Sequence, residues 1–168
     1  LKDLTRIEIF VLPEKPTTIF GSSGVWAEAL RFLCDTVKVT GMEDQEKIIT
    51  KIIRFCHSGH GLKYDSAGGG RSLYGVSGSG GRFRLYEYIQ KVSMYSNCYD
   101  QAGAIQSLCG ALGITVNWYY LDPFGFINET DLLGYGRCNN PFFLLYGIPQ
   151  IVPSNDPQRT PFGRHAFC

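Results

Sequence analysis

The sequence predicts an α+β fold, with one helix packed on an antiparallel sheet, from three observations. Apolar residues recur at helical spacing in two segments before residue 60 and again from Cys98 to Leu112. Short aromatic or β-branched runs, separated by turn-rich stretches, fill the rest of the C-terminal half. Helices come first and strands later, which favours segregated layers over alternating βαβ units. With 168 residues, 44% of them hydrophobic, the chain can bury a substantial core, and residues 1–168 read as a single domain.

Each element has its own signal. In "LTRIEIFVL", Leu4, Arg6 and Glu8 alternate with Thr5, Ile7, Ile9 and Val11, the period-two pattern of a half-buried strand, which "PEKP" ends. A helix follows in "GSSGVWAEALRFLCDTVKV", with a Ser cap and Trp26, Ala29, Leu30, Leu33 and Val37 at helical spacing. The next helix, in "GMEDQEKIITKIIRFCHSGHG", carries acids in its first turn and Ile48, Ile49, Ile52, Ile53 and Cys56 on one broad face. From Ala67 to Arg82 the chain is so rich in Gly and Ser that it reads as a mobile surface loop without a packed element. "RLYEYIQKV" fits a short helix or a strand. Cys98, Ala102, Ile105, Leu108, Cys109 and Leu112 then form a stripe that stops at Gly113. "TVNWYYL", "PFFLLYG" and "RHAFC" read as strands, and no internal repeat is visible.

Composition narrows the partners. Sixteen basic and fifteen acidic residues give a net charge of +1, without long like-charged runs, so neither nucleic acid nor an anionic membrane is expected to bind. No apolar run approaches the roughly 20 residues that cross a bilayer, and the first residues do not resemble a signal peptide. The chain reads as soluble, and its localisation stays open. It begins without Met and stops at Cys168, the pattern expected of a mature piece or a fragment. Six cysteines leave the disulfide state open; Cys34, Cys56 and Cys109, inside helical patterns, read as buried free thiols.

The chemistry concentrates at Cys98. Asn97 is a good N-cap and Asp100, three residues on, nearly completes a capping box, so Cys98 becomes the first helical residue. There the unpaired N–H groups and the positive end of the helix dipole favour a thiolate and predict a lowered pKa. The same N–H groups can hold the oxyanion of an attacked carbonyl. A small apolar cysteine filling space at a helix start explains the position equally well. A base must be one of three histidines. His57 and His60 end a helix, where they suit the last carbonyls, whereas His165 opens a strand that can face the helix start. A structural role for His165 remains open on position alone.

"NCYDQAGAIQSLCGALGI" resembles the nucleophile segment of the transglutaminase-like superfamily, matching at Cys98, Asp100, Ala102, Leu108, Leu112, Gly113 and Ile114. "HAF", at His165, Ala166 and Phe167, is similar to that superfamily's His-Ala-aromatic segment. The resemblance spans roughly residues 48 to 168. It implies a papain-like core, Cys98 as nucleophile, His165 as base, and Tyr64 in "LKYDS" helping to bind the oxyanion; Tyr99 joins Tyr64 in substrate binding. The implied reaction is attack on an amide carbonyl, release of ammonia or an amine, and transfer of the acyl group to water or another amine. Peptidase, glutamine deamidase and transglutaminase all fit, the partner being a protein or peptide substrate. A domain of this type without activity, used for binding or assembly, is the alternative. Some relatives are secreted effectors, which leaves that setting open.

Two departures stand out. The family's Asp on the next strand would fall beyond Cys168, so either the domain is truncated or Asn155, Asp156 or Asp122 orients the imidazole. The Cys98 to His165 spacing is also long, and the aromatic insert between them is expected to shape the cleft. Weaker patterns are incomplete. The Gly-rich stretch lacks the end of a phosphate loop, Cys56, His57 and His60 lack a second pair for zinc, and no acidic loop suggests calcium. No cofactor and no metal are expected.

Overall fold

The element that organises the fold is α4, Cys98–Ala111, which the sequence bounds at both ends. Asn97 caps it in an extended conformation, accepting the Asp100 N–H at 3.0 Å, and the Asp100 carboxylate returns the bond to the Asn97 N–H at 3.2 Å. At the other end Gly113 takes φ +83°, and the Ile114 N–H reaches back to the Cys109 carbonyl at 3.0 Å. Small residues dominate its buried surface: Ala102, Gly103, Ala104, Gly110 and Ala111 let neighbours approach closely, while Leu108 fills the centre.

This computed structural model describes residues 7–41, 43–65, 72–77, 80–124 and 163–168, and the backbone at 130–131, 137–138, 142–143 and 149–150. The class is mixed helix and strand, compatible with α+β. α1, Ala27–Arg31, widens into π-helical turns over Phe32–Val37, and α2, Gln45–Arg54, does so over Phe55–Gly59. Asp44 caps α2 by accepting the Lys47 N–H at 2.9 Å. α3, Leu85–Ile89, settles the open choice in favour of a helix. α4 lies against all three. Leu33, Ile48, Ile52, Leu62, Tyr74, Tyr88 and Leu108 fill the core among them, each such side chain stabilising by about 1.5–3 kcal/mol.

The strands form two-stranded pairs. β1, Lys63–Tyr64, runs parallel to β4, Tyr95–Ser96, and β2, Val76–Ser77, pairs antiparallel with β3, Gly80–Gly81. β5, Tyr119–Leu121, pairs antiparallel with β10, His165–Phe167, and β10 lies on α4. Two further antiparallel pairs join β6, Thr130–Asp131, to β7, Arg137–Cys138, and β8, Phe142–Phe143, to β9, Pro149–Gln150. Among the described residues no helix is long and apolar enough to cross a membrane.

Four expectations need correction. Residues 7–12 form no strand: among the described residues no strand pairs with them, and Ile7, Ile9 and Val11 point outward while Phe10 and Leu12 pack on the core. No Ser caps α1, whose N-cap is Trp26. Cys34 is exposed, on the outer side of a turn whose buried residues are Phe32, Leu33 and Val37. The Gly- and Ser-rich stretch is packed in part, with Tyr74 and Val76 buried and Gly75, Gly81 and Arg82 exposed. Tyr74 is wholly buried, and Gly75 at φ +92° and Gly81 at φ +149° bring their backbones so close that a Cβ on Gly75 would meet the Arg82 carbonyl at 2.5 Å.

What holds that stretch is Asp100, wholly buried, whose carboxylate accepts from the Ser72 hydroxyl at 2.7 Å and from the Leu73 and Tyr74 N–H groups at 2.9 and 3.0 Å. Removing it leaves buried donors without an acceptor. Asp100→Ala is therefore expected to destabilise the chain by about 3 kcal/mol or more, measured by urea unfolding. A loss within that of an ordinary surface substitution would contradict this role.

Candidate active site

Four N–H groups at a helix start lack intrahelical partners. Around α4 the capping box satisfies those of Asn97 and Asp100, and leaves those of Cys98 and Tyr99 directed at the Cys98 thiol. A third donor comes from outside the helix, the Ala166 N–H of β10. Ala166 is buried against α4, and the Cys168 thiol donates to the Ala102 carbonyl at 3.2 Å, so residues of one parity in β10 face the helix. The strand thus brings its backbone onto the Cys98 sulfur one residue after His165.

His165 and Phe167 have the other parity. The imidazole stacks on Phe124 at 4.6 Å and lies 6.1 Å from the Phe167 ring, which stacks on Tyr119 at 5.6 Å. Pairing of β10 with β5 sets His165 opposite Leu121, and the Phe124 N–H bonds to the Gly163 carbonyl at 3.0 Å, extending the ribbon.

The charge balance differs from the sequence expectation. Cys98 is half-buried, and burial pushes its thiol up; the N–H groups of Ala166, Tyr99 and Cys98 pull it down in part, while the Asp100 carboxylate adds to the rise. The predicted lowering is therefore reversed, because desolvation outweighs the helix start. Burial pushes the His165 imidazole down. Both shifts favour the neutral forms, a thiol at the head of α4 and an uncharged imidazole on the other face of β10.

The other named residues fall in distinct places. Tyr99 directly follows Cys98, with its ring 6.5 Å from Trp118 and 6.0 Å from Tyr120; burial and the Tyr120 hydroxyl push its phenol up to about 12. Tyr64 pairs across β1 and β4 with Ser96, two residues before Cys98, and packs partly against the core. Asp122 ion-pairs with Arg164 at 3.0 Å and accepts from the Tyr120 hydroxyl at 3.3 Å. Asn155 and Asp156 lie outside the described residues. His60 is buried in an aromatic cluster with Phe32, Phe55 and Tyr88, its Nε2 2.7 Å from the Tyr88 carbonyl oxygen, and His57 is exposed. Among the described residues no three of His, Cys, Asp and Glu form a metal-binding group.

Two residues of the site escaped the sequence reading. Asp65, next to Tyr64, is buried, and its N–H bonds to the Ser96 carbonyl at 2.9 Å, which sets a carboxylate-bearing residue beside the Asn97 cap. Gln101 ties α4 to β4 through Ser96 Oγ at 2.8 Å. The only sequence signal for either was adjacency, to "KY" and to the cap.

No protein-family model, curated protein or solved structure matches the chain. The site's own geometry makes a direct prediction. Residue-resolved alkylation of Cys98 should rise at a higher pH than in a free peptide of residues 96–101, since burial holds the thiol protonated. A profile at or below that of the peptide would contradict this balance.

Proposed function

We propose that the chain is a cysteine-dependent amide hydrolase or acyltransferase of transglutaminase-like, papain-like type, with Cys98 as nucleophile and His165 as base. The observation that carries the reading is the meeting of α4 and β10: a capped helix start whose Cys98 and Tyr99 N–H groups lie outside the capping box, and a histidine strand whose backbone reaches the same sulfur.

The chemistry follows from the neutral resting pair. As Sγ attacks the carbonyl carbon of an amide, its proton passes to the imidazole, and the carbonyl π pair becomes an oxyanion held by the Cys98 and Tyr99 N–H groups. Collapse breaks the C–N bond, and the imidazolium gives its proton to the departing nitrogen. A thioester on Cys98 remains. Water or an amine, deprotonated by the imidazole, then attacks it and regenerates the thiol. Tyr99 borders the cleft beside the nucleophile, and the acceptor that reaches the thioester decides between hydrolysis, deamidation and transamidation.

One observation favours the second reading, a domain of this kind that binds without turnover. A thiol kept protonated by burial is a weak nucleophile unless a base takes its proton. Ammonia or amine release from glutamine-containing and ordinary peptides separates the two. Cys98→Ala should abolish release by at least about a thousandfold, and His165→Ala by about a hundredfold or more, with the urea midpoint unchanged. Because the His165 value lies below its ordinary 6.5, the base stays unprotonated down to more acidic pH, and the acid limb of kcat/KM should lie below pH 6.5. No release from any peptide would leave only the binding reading, and release that survives Cys98→Ala would contradict Cys98 as the nucleophile.

A further inference from the structure

A groove of about 850 Å³ runs along one face of α4. Its floor holds Gly103, Val76 and Phe83, where a Cβ on Gly103 would meet the Phe83 ring at 2.9 Å. One wall is the edge-to-face pair Trp26 and Tyr86, centroids 5.2 Å apart, 37% and 58% exposed; Trp118 forms the other. Tyr99, Gly103 and Gln106 are four and three residues apart, so the groove's helix face continues to the residue beside the nucleophile. Trp118 links the two regions, since its ring also stands 6.5 Å from Tyr99.

Two polar features of the groove's lining have no partner among the described residues. The Trp118 indole N–H is buried and meets no acceptor among them, which costs free energy. Arg82 is the one charged side chain among the described lining residues, exposed and facing no acid in that lining. A groove with aromatic walls and one cation is complementary to an apolar chain that brings a carboxylate.

We propose that this groove holds the polypeptide substrate of the Cys98 centre and selects a segment that pairs an aromatic side chain with a carboxylate one or two residues away. The inference rests on the amide-cleaving reading for its substrate role. The spacing suits it. Gly103 lies five residues beyond Cys98 and Ser107 nine, roughly 7–13 Å along the helix axis, the span of about two to four residues of extended peptide.

The chain has two tryptophans, and both line the groove, so their fluorescence reports its occupancy. The test titrates the Cys98→Ala chain with a blocked peptide containing Phe-Asp, and with its Phe-Asn and Phe-Lys counterparts. The Phe-Asp peptide should shift the emission saturably and bind about threefold more tightly than Phe-Asn, and Arg82→Ala or high salt should erase that difference. Tyr86→Ala and Trp118→Phe should each weaken binding about fivefold. Absence of a saturable shift, equal binding of the three peptides, or an emission change that follows self-association would overturn the proposal. Binding and turnover fail separately: binding as described without amide cleavage by the native chain removes the chemistry and keeps the peptide site, whereas cleavage indifferent to Arg82 and Tyr86 removes the groove.

Discussion

The structure depends on one buried carboxylate. Asp100 accepts from Asn97, Ser72, Leu73 and Tyr74, and so does two jobs with one group. It closes the capping box that starts α4, and it fastens a glycine-rich segment that has little apolar surface of its own to bury. Four hydrogen bonds to a charged acceptor offset the cost of taking that charge out of water. Because the box uses the N–H groups of Asn97 and Asp100, those of Cys98 and Tyr99 stay available. The fold's anchor and the site's donors are thus two outcomes of the same local accounting of helix-start groups.

Burial sets the character of the site more than the helix start does. The N–H groups around Cys98 favour a thiolate, but the desolvation that comes with β10 lying on α4 favours the thiol. Burial also pushes the His165 imidazole down. In the proposed mechanism these two groups store no charge separation until the sulfur proton moves. The aromatic rings of Tyr99, Trp118 and Tyr120 form a band next to Cys98.

Much of α2 and α4 was legible in the sequence because both carry their own boundaries: Asp44 before the isoleucine stripe, Asn97 with Asp100 before the cysteine, Gly113 after Leu112. The β5 and β10 strands were legible as short aromatic runs. The stretch from Ser72 to Arg82 was not, since composition shows how few side chains a segment can bury but not that a distant carboxylate needs its backbone donors. Residues 7–12 alternate as a strand does, yet alternation cannot supply a partner strand, and the phase inverted. The Cys98 shift was misjudged for a similar reason: position at a helix start is visible in sequence, while the strand that covers it is not.

The central claim is that the sulfur at the head of α4 takes an acyl group from an amide, with the imidazole on β10 accepting its proton. Rapid quenching followed by intact-mass analysis of the chain with a glutamine-containing peptide tests it most directly. The account predicts a transient gain equal to the acyl portion of the peptide, mapped to Cys98, hydroxylamine-labile, and greatly reduced in His165→Ala. An unmodified Cys98 throughout productive amide cleavage, or an adduct that forms equally well without His165, would contradict it.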